Sequence, residues 1–251
     1  GLNSVKENIQ SIVNSIKIEK LRGGSTIAGH YIFQGNPGTG KTTVARIMGN
    51  IFYALGILPS NKLIEVTRKD LVASYVGQTA PKTAQVVKRA IGGVLFIDEA
   101  YSLKSGGASD FGQEATVTIL PMMLDFKGKM VFIAAGYPKE IQQWIDTNSG
   151  LESRFTKTIH FEDYNPEELA EIFLKKAAGE KLKLTPEAEN KMRESFSDLY
   201  VNRSKNFANA REVNNLFDRV RKKQSSRLRE ELNRPGFDNS SLELILESDF
   251  E

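Results

Sequence analysis

The sequence has no cysteine and only two histidines among its 251 residues. Without cysteine the chain can form neither disulfides nor thiolate ligands, and His30 and His160 are too few for a histidine-based metal site. It also lacks any run of eighteen apolar residues, which argues against a membrane-spanning helix. We therefore expect a cytoplasmic protein whose chemistry depends on other side chains.

A strong charge of either sign is also missing, since the net charge is only +3. The basic residues are spread along the chain, so nothing in the composition demands a nucleic-acid partner. A hydrophobic content of 40% is typical of a globular protein with a core, and 251 residues favour one large domain plus a smaller one. Because the chain begins at Gly1 without methionine, we expect it to be part of a longer protein.

Continuous apolar runs alternate with helical patterns in the first two thirds of the chain. Runs this apolar suit strands buried on both faces, as in a parallel sheet covered by helices. The predicted strands are 30–34, 62–67, 93–99, 130–137 and 158–161, and the predicted helices are an N-terminal one, 42–55, 79–91, 113–126 and 138–146. The pattern predicts an α/β domain over residues 1–162, with helices on both faces of the sheet.

The pattern changes after residue 162. Asn165 followed by Pro166, and Thr185 followed by Pro186, are typical helix starts, with a capping side chain and a first-turn proline. No further strand of the buried type follows. We therefore predict a small all-helical domain over residues 163–251.

The segment GNPGTGKTT, residues 35–43, follows the first predicted strand and begins a helix. It fits the G-x-x-x-x-G-K-[ST] spacing, in which backbone amides surround phosphate oxygens. Lys41 would reach the β and γ phosphates, and Thr42 would bind Mg²⁺. A glycine loop that merely closes a turn is the alternative. The predicted residues for ATP are Gly35, Asn36, Pro37, Gly38, Thr39, Gly40, Lys41, Thr42 and Thr43.

A second motif, VLFIDEA, is an apolar strand that ends in two carboxylates, Asp98 and Glu99. Asp98 suits the outer shell of magnesium, and Glu99 is suited to polarise the water that attacks the γ phosphate. Two acidic residues at a strand end could also be a solvated terminus. Together with the phosphate loop, however, they favour ATP hydrolysis over binding alone.

These residues resemble the AAA+ ATPases. The resemblance rests on GNPGTGKTT, GGVLFIDEAY, MVFIAAGY, GLESRF and NAREVNNLFDR in that order, and it covers nearly the whole chain. VTRKDLVASYVGQTAPKT and FGQEA are similar to the CbbX and SpoVK group, which includes the red-type Rubisco activases. The resemblance implies a P-loop sheet domain followed by a helical AAA+ lid domain.

The resemblance also implies roles for two arginines. Arg154 falls at the arginine finger, which in such hexamers points into the site of the neighbouring subunit. Arg211 falls at sensor 2, on a lid helix that can close over the phosphates. Either residue could instead be an exposed arginine with no role in the site.

Tyr75, Val76 and Gly77 fall at the pore loop, the aromatic step that grips a polypeptide in the central channel of a ring. A tyrosine packed under the domain is the alternative. Tyr137 stands where most of the wider family has a polar sensor 1, which leaves open what orients the attacking water. The Tyr137 hydroxyl is one candidate.

The sequence therefore predicts a ring-forming ATPase, a hexamer by resemblance, that remodels a protein partner. A nucleic-acid motor or loader is one alternative, and the basic segment 218–232 could contact nucleic acid, although the YVG segment and the modest net charge argue against it. A regulatory switch that binds ATP with negligible hydrolysis is another, but it would need neither Glu99 nor Arg154. Nothing in the residues identifies the protein target.

Overall fold

The computed structural model describes residues 2–24, 27–104, 111–232 and 239–250. The chain divides into two compact units. The α/β unit contains Leu2–Gly35 and Gly40–Phe161, and the helical unit contains Asn36–Thr39 and the residues from Glu162 onward. The helical unit thus includes four residues of the glycine-rich loop, far from the rest of that unit in sequence.

The α/β unit is built on one parallel sheet of five strands. The strands are β1 (His30–Gly35), β2 (Leu63–Val66), β3 (Val94–Ile97), β4 (Val131–Gly136) and β5 (Phe155–Phe161). Their order across the sheet is β2-β3-β4-β1-β5. The strand predictions are confirmed, although β5 begins three residues earlier than the predicted residue 158.

Two apolar clusters cover the two faces of this sheet. Successive strand residues point to opposite faces. Accordingly, Leu95 and Ile97 belong to one cluster, and Val94 and Phe96 belong to the other. This two-sided burial explains why the strands read as continuous apolar runs.

Seven α-helices belong to the described part of the α/β unit. They are α1 (Asn3–Leu21), α2 (Lys41–Ala54), α3 (Arg68–Leu71), α4 (Thr79–Ala90), α5 (Gly112–Asp125), α6 (Pro138–Ile145) and α7 (Ser149–Glu152). Helices α1 and α2 supply apolar residues to one cluster, whereas α4, α5 and α6 supply the other. The sheet therefore has helices on both faces, as predicted.

The helical unit contains α8 (Pro166–Gly179), α9 (Pro186–Val201) and α10 (Ala210–Glu231). Both predicted helix starts are confirmed, because the Asn165 side chain accepts a hydrogen bond from the Glu168 amide at 2.9 Å and the Thr185 hydroxyl accepts one from the Ala188 amide at 3.2 Å. The sequence did not indicate the two-residue parallel pair β6 (Lys183–Leu184) and β7 (Leu244–Ile245).

The core of the helical unit is aromatic. Phe173 packs edge-to-face against Phe196 and Phe217, with ring centroids 6.1 and 5.2 Å apart. The C-terminal segment is held by Arg227, whose guanidinium pairs with the buried Asp249 carboxylate at 3.0 Å. None of the described helices is long and apolar enough to cross a membrane.

Candidate nucleotide site

The glycine-rich loop connects the end of β1 to the start of α2. Gly38 and Gly40 have φ angles of 71° and 90°, in the left-handed region that favours glycine. The buried Thr39 closes the turn by donating its hydroxyl hydrogen to the Asn36 carbonyl oxygen at 2.8 Å. These contacts give the loop a compact conformation before the helix begins.

Lys41, Thr42 and Thr43 form the first turn of α2. The Lys41 ammonium donates to the Gly35 carbonyl oxygen at 2.8 Å, so this cation lies folded over the loop. The first helical hydrogen bond that closes on the loop runs from the Val44 amide to the Gly40 carbonyl oxygen at 2.9 Å. A helix start leaves its first amides without intrahelical partners, which suits a phosphate group.

The carboxylate pair lies at the same edge of the sheet, because parallel strands share their carboxyl ends. The Asp98 amide donates to the Val66 carbonyl oxygen at 2.8 Å, which extends the β3–β2 ladder by one residue. Glu99 is exposed and has φ 50° and ψ 43°, a left-handed backbone that a non-glycine residue adopts at an energetic cost. Strain of this kind is frequent at functional sites.

Glu65, on β2, is an oxygen donor that the sequence patterns did not single out. Its carboxylate lies 3.5 Å from the Thr42 hydroxyl, at the limit of a hydrogen bond. The one available signal was an acidic residue inside an otherwise apolar run. The Thr42 hydroxyl and the Glu65 carboxylate are hard oxygen donors of the kind that magnesium prefers.

Among the described residues, no group of three or more histidine, cysteine, aspartate or glutamate side chains could hold a metal ion by itself. Magnesium at nucleotide sites is usually held by one or two protein oxygens together with substrate phosphates and water. The Thr42 hydroxyl, with the Glu65 carboxylate 3.5 Å from it, therefore suits a magnesium ion that arrives with a nucleotide.

Tyr137 follows β4, which lies between β1 and β3 in the sheet. This residue is therefore at the sheet edge between the loop strand and the carboxylate strand. Its ring centroid lies 5.9 Å from that of Tyr101, a residue that the sequence reasoning missed. Burial raises the pKa of Tyr101 to about 12, with a further contribution from the Glu99 carboxylate. Tyr101 is thus a protonated phenol near the carboxylate pair.

Tyr75, Val76 and Gly77 lie on an exposed segment between α3 and α4. The Tyr75 and Val76 side chains are 72% and 83% exposed, so Tyr75 is not packed under the domain. The base of the segment is fixed, because the Lys82 ammonium donates to the Lys69 and Val72 carbonyl oxygens at 2.7 and 2.8 Å. The segment therefore exposes the apolar side chains of Tyr75 and Val76, while hydrogen bonds from Lys82 hold the backbone of the residues before it.

Arg154 lies between α7 and β5, at the amino edge of the sheet. The next residue, Phe155, pairs with His30 at the start of β1. Arg154 lines a cavity of about 490 Å³ together with His30, Lys127 and Glu19. Its Nε atom is buried and has no hydrogen-bond partner among the described residues, while one terminal nitrogen donates to the Ser153 hydroxyl at 2.9 Å.

Arg211 lies in the first turn of α10, within the helical unit. Its side chain is exposed, and its backbone nitrogen is next to the glycine-rich loop, because a Cβ atom added to Gly38 would lie 3.0 Å from it. The same Cβ atom would lie 2.2 Å from the Ala208 carbonyl oxygen. The start of α10 thus lies directly against Gly38, which leaves no room for a side chain there.

Two further polar residues near this loop were missed by the sequence reasoning. Asn209 is fully buried and donates to the Pro37 carbonyl oxygen at 3.3 Å and to the Asp163 carboxylate at 2.8 Å. Asp163 also accepts from the Asn36 side chain at 2.9 Å. Asn209 lies 172 residues from Pro37, so no local pattern could reveal the contact.

Family comparisons agree with this geometry. Residues 31–163 match the family model for the ATPase family associated with various cellular activities (AAA), and residues 165–251 match the AAA lid domain model. The chain belongs to the AAA ATPase family. It is therefore a nucleotide-binding ATPase, and the prediction of this family from its motifs is confirmed.

Within this family, the chain is similar to curated proteins of the predicted CbbX and SpoVK group. Stage V sporulation protein K of Bacillus subtilis is 39% identical over 91% of this chain and 73% of its own length. The chloroplastic ribulose bisphosphate carboxylase/oxygenase activase of Cyanidioschyzon merolae is 42% identical over 91% of this chain and 79% of its own. Protein CbbX of Cereibacter sphaeroides is also 42% identical, over 91% and 75%.

A solved structure supports the fold independently. The FIGL-1 AAA domain in complex with ADP superposes with a TM-score of 0.68 at 19% identity, and the match covers 100% of this chain and 80% of that one. At this identity the likeness shows the fold alone. It agrees with a parallel sheet followed by a helical lid.

Proposed function

We propose that this AAA ATPase is a ring-forming motor that remodels a protein partner by gripping it in a central pore. A hexamer is the assembly we expect from the resemblance. The observation that carries the proposal is the position of Arg154 at the edge of the sheet opposite the phosphate loop. This residue is half-buried, and its Nε atom has no hydrogen-bond partner among the described residues.

The distance along β1 supports action between subunits. The strand runs from His30, beside the Arg154 segment, to Gly35, where the loop begins. At about 3.3 Å per residue, these ends are roughly 16 Å apart. Arg154 therefore cannot neutralise charge on a nucleotide held by its own loop, but it could do so for a neighbouring subunit.

In the proposed site, different residues of this chain bind the phosphates, bind the metal ion and activate the water. The loop amides and the Lys41 ammonium would hold the phosphates, and Thr42 and Asp98 would hold a magnesium ion, which would supply neutralisation of phosphate charge. The Glu99 carboxylate takes a proton from the attacking water, and Tyr137 helps to orient that water. Arg211 closes over the phosphates from the lid.

Tyr75, Val76 and Gly77 supply the proposed grip on the partner. An exposed aromatic residue can hold peptides of many sequences through stacking and dispersion. The anchored base of this segment supports the idea that motion of the ATPase unit reaches the tip. Among the relatives, one is named as an activase of a carboxylase, which supports a protein as the target.

The partner proposed here is a protein that is threaded or remodelled, without a nucleic acid or a membrane. The mild net charge of +3 gives no support to a nucleic-acid motor. A cytoplasmic location remains a prediction from the cysteine-free composition.

The test is ATP turnover per subunit as protein concentration rises, with Glu99→Gln and Arg154→Ala measured beside the parent. We expect specific activity to climb with concentration, and each substitution to lower it by about a hundredfold or more while nucleotide still binds. Arg193→Ala is the matched control, since Arg193 pairs with Glu189 on the helical unit and is 47% exposed.

Turnover that is independent of concentration and of Arg154 would contradict the shared site. In that case a regulatory switch becomes the better description. If turnover depends on Arg154 but an unstructured polypeptide does not bind, the result supports a ring with shared sites and contradicts the proposal of a gripping pore.

A further inference from the structure

Asp163, Tyr164, Asn209 and Ala210 form a set of contacts around the glycine-rich loop, which we call the loop anchor. All four belong to the helical unit, as do the loop residues 36–39. The Asn209 side chain donates to the Pro37 carbonyl oxygen at 3.3 Å, and the Ala210 amide donates to the Gly38 carbonyl oxygen at 3.2 Å. The Tyr164 hydroxyl donates to the Thr39 carbonyl oxygen at 3.2 Å.

The loop anchor therefore binds three consecutive carbonyl groups of the loop. In a planar trans peptide, the carbonyl of one residue and the amide of the next point in opposite directions. Holding the carbonyls of Pro37, Gly38 and Thr39 consequently fixes the directions of the amides of Gly38, Thr39 and Gly40. Amides in such a turn are the groups that bind phosphate oxygens.

Asn209 is the central residue of the loop anchor. It is fully buried, and its side-chain oxygen accepts from the Tyr164 amide at 2.8 Å. Its side-chain nitrogen also donates to the Asp163 carboxylate at 2.8 Å, and that carboxylate binds the Asn36 side chain. One side chain thus links the loop, the start of the lid and the start of α10.

The backbone of Asn209 supports a specific role. Its φ of 52° and ψ of −120° are far from the usual regions for a residue with a side chain. Glycine would adopt this conformation more easily, so asparagine is present at a cost. The hydrogen bonds of its side chain are the feature that glycine could not provide.

We propose that Asn209 is a positioning residue for nucleotide binding, which orients the loop amides through the loop carbonyls and couples them to α10. This inference rests on nucleotide binding at the loop, and it does not depend on a ring or a pore. The role is distinct from that of Arg211, which would contact phosphate with its own side chain.

The test uses Asn209→Gly in the full chain, because glycine accepts the backbone conformation and removes only the side-chain contacts. A fluorescent ADP analogue is titrated at low protein concentration, where subunits are separate. Loss of these bonds should raise the dissociation constant by about tenfold. Hydrogen exchange supplies a second readout, since ADP should slow exchange at residues 210–214 in the parent and much less in the variant.

Asn165→Ala is the matched control. Asn165 is also an asparagine at the start of a helix in the helical unit, but its capping bonds are made with Glu168. The control should lose thermal stability through the missing cap and keep ADP affinity within about twofold of the parent.

The proposal is overturned if Asn209→Gly binds ADP within about twofold of the parent, or if Asn165→Ala weakens binding as much as Asn209→Gly does. If Asn209→Gly fails to fold, Asp163→Ala decides, because it removes the carboxylate shared by Asn36 and Asn209. Weaker ADP binding by that variant supports the proposal, and unchanged binding contradicts it. Because separate subunits are measured, the result is independent of the ring proposal.

Discussion

Phe155, the first residue of β5, pairs with His30, the first residue of β1. This pairing fixes Arg154 at the amino edge of the sheet, while Gly35 leads into the phosphate loop at the carboxyl edge. An arginine in this position cannot serve the nucleotide of its own subunit. If Arg154 contributes to hydrolysis, ATP turnover must depend on assembly.

Gly38→Ala should disrupt both the loop and the helical unit. The added Cβ atom would lie 2.2 Å from the Ala208 carbonyl oxygen, and alanine is strained at a φ of 71°. The left-handed backbone alone costs about 1–2 kcal/mol. We expect a lower melting temperature and at least a tenfold weaker affinity for ADP, measured by thermal denaturation and by titration.

Gly179→Ala is the control for this substitution. Gly179 ends α8 in the same unit, and among the described residues no atom outside its chain neighbours and the backbone of its own helix lies within 4 Å of an added Cβ. It should therefore leave both quantities unchanged or stabilise the helix slightly. Equal behaviour of the two variants would contradict the close approach between Gly38 and the start of α10.

Tyr75→Ala should weaken the grip on a polypeptide without lowering the melting temperature, because the side chain is 72% exposed. The measurement is the anisotropy of a labelled unstructured polypeptide bound to a Glu99→Gln background, which holds ATP. We expect about tenfold weaker binding for Tyr75→Ala and near-parental binding for Tyr75→Phe, which keeps the ring.

Val201→Ala provides the comparison for an exposed apolar side chain elsewhere. Val201 is 79% exposed at the end of α9, outside the proposed pore segment. If both Tyr75→Ala and Val201→Ala reduce polypeptide binding equally, contact with the substrate is not specific to the segment of Tyr75.

His30 should make the fold sensitive to acid. The ring is buried, its Nε2 lies 3.2 Å from the Met123 carbonyl oxygen and its Nδ1 accepts from the Phe132 amide at 3.2 Å. Burial lowers the pKa of His30 below its ordinary value of 6.5, and the charge of Lys127 lowers it further. As the pH falls, His30 therefore takes up a proton in the unfolded chain before it does so in the folded one. Its contribution to the free energy of unfolding is present above pH 6.5 and is lost as the pH falls below that value.

Thermal denaturation at pH 7.5 and at mildly acidic pH measures this effect. His30→Gln keeps one donor and one acceptor without the titrating ring, so its melting temperature should fall less than that of the parent over the same pH range. An identical fall in both proteins would assign the acid sensitivity to other groups.

The sequence predicted the features that depend on local patterns. The loop at Gly35–Thr43 carries its spacing within nine residues, and the strand before Asp98 is apolar because both sheet faces are covered. The helix starts at Asn165 and Thr185 were visible for the same reason, since a cap and its partners lie within three residues.

Features made by residues distant in sequence could not be predicted in this way. The contact from Asn209 to Pro37 joins positions 172 residues apart, and Tyr101 meets Tyr137 only because β3 and β4 are neighbours. The left-handed backbone of Glu99 could not be predicted, because the sequence has no glycine at that position to indicate it. The role assigned to Arg154 came from the family resemblance, and the strand pairing supplies its physical reason.

The most direct test of the shared site mixes two inactive variants, Arg154→Ala and Glu99→Gln, in equal amounts and measures ATP turnover. In randomly mixed rings, about a quarter of the sites combine an intact Glu99 with an intact Arg154 from the neighbour, so about a quarter of the parental activity should return. If the mixture stays as inactive as each variant alone under conditions where subunits exchange, Arg154 does not act in a neighbouring site and the central claim is wrong.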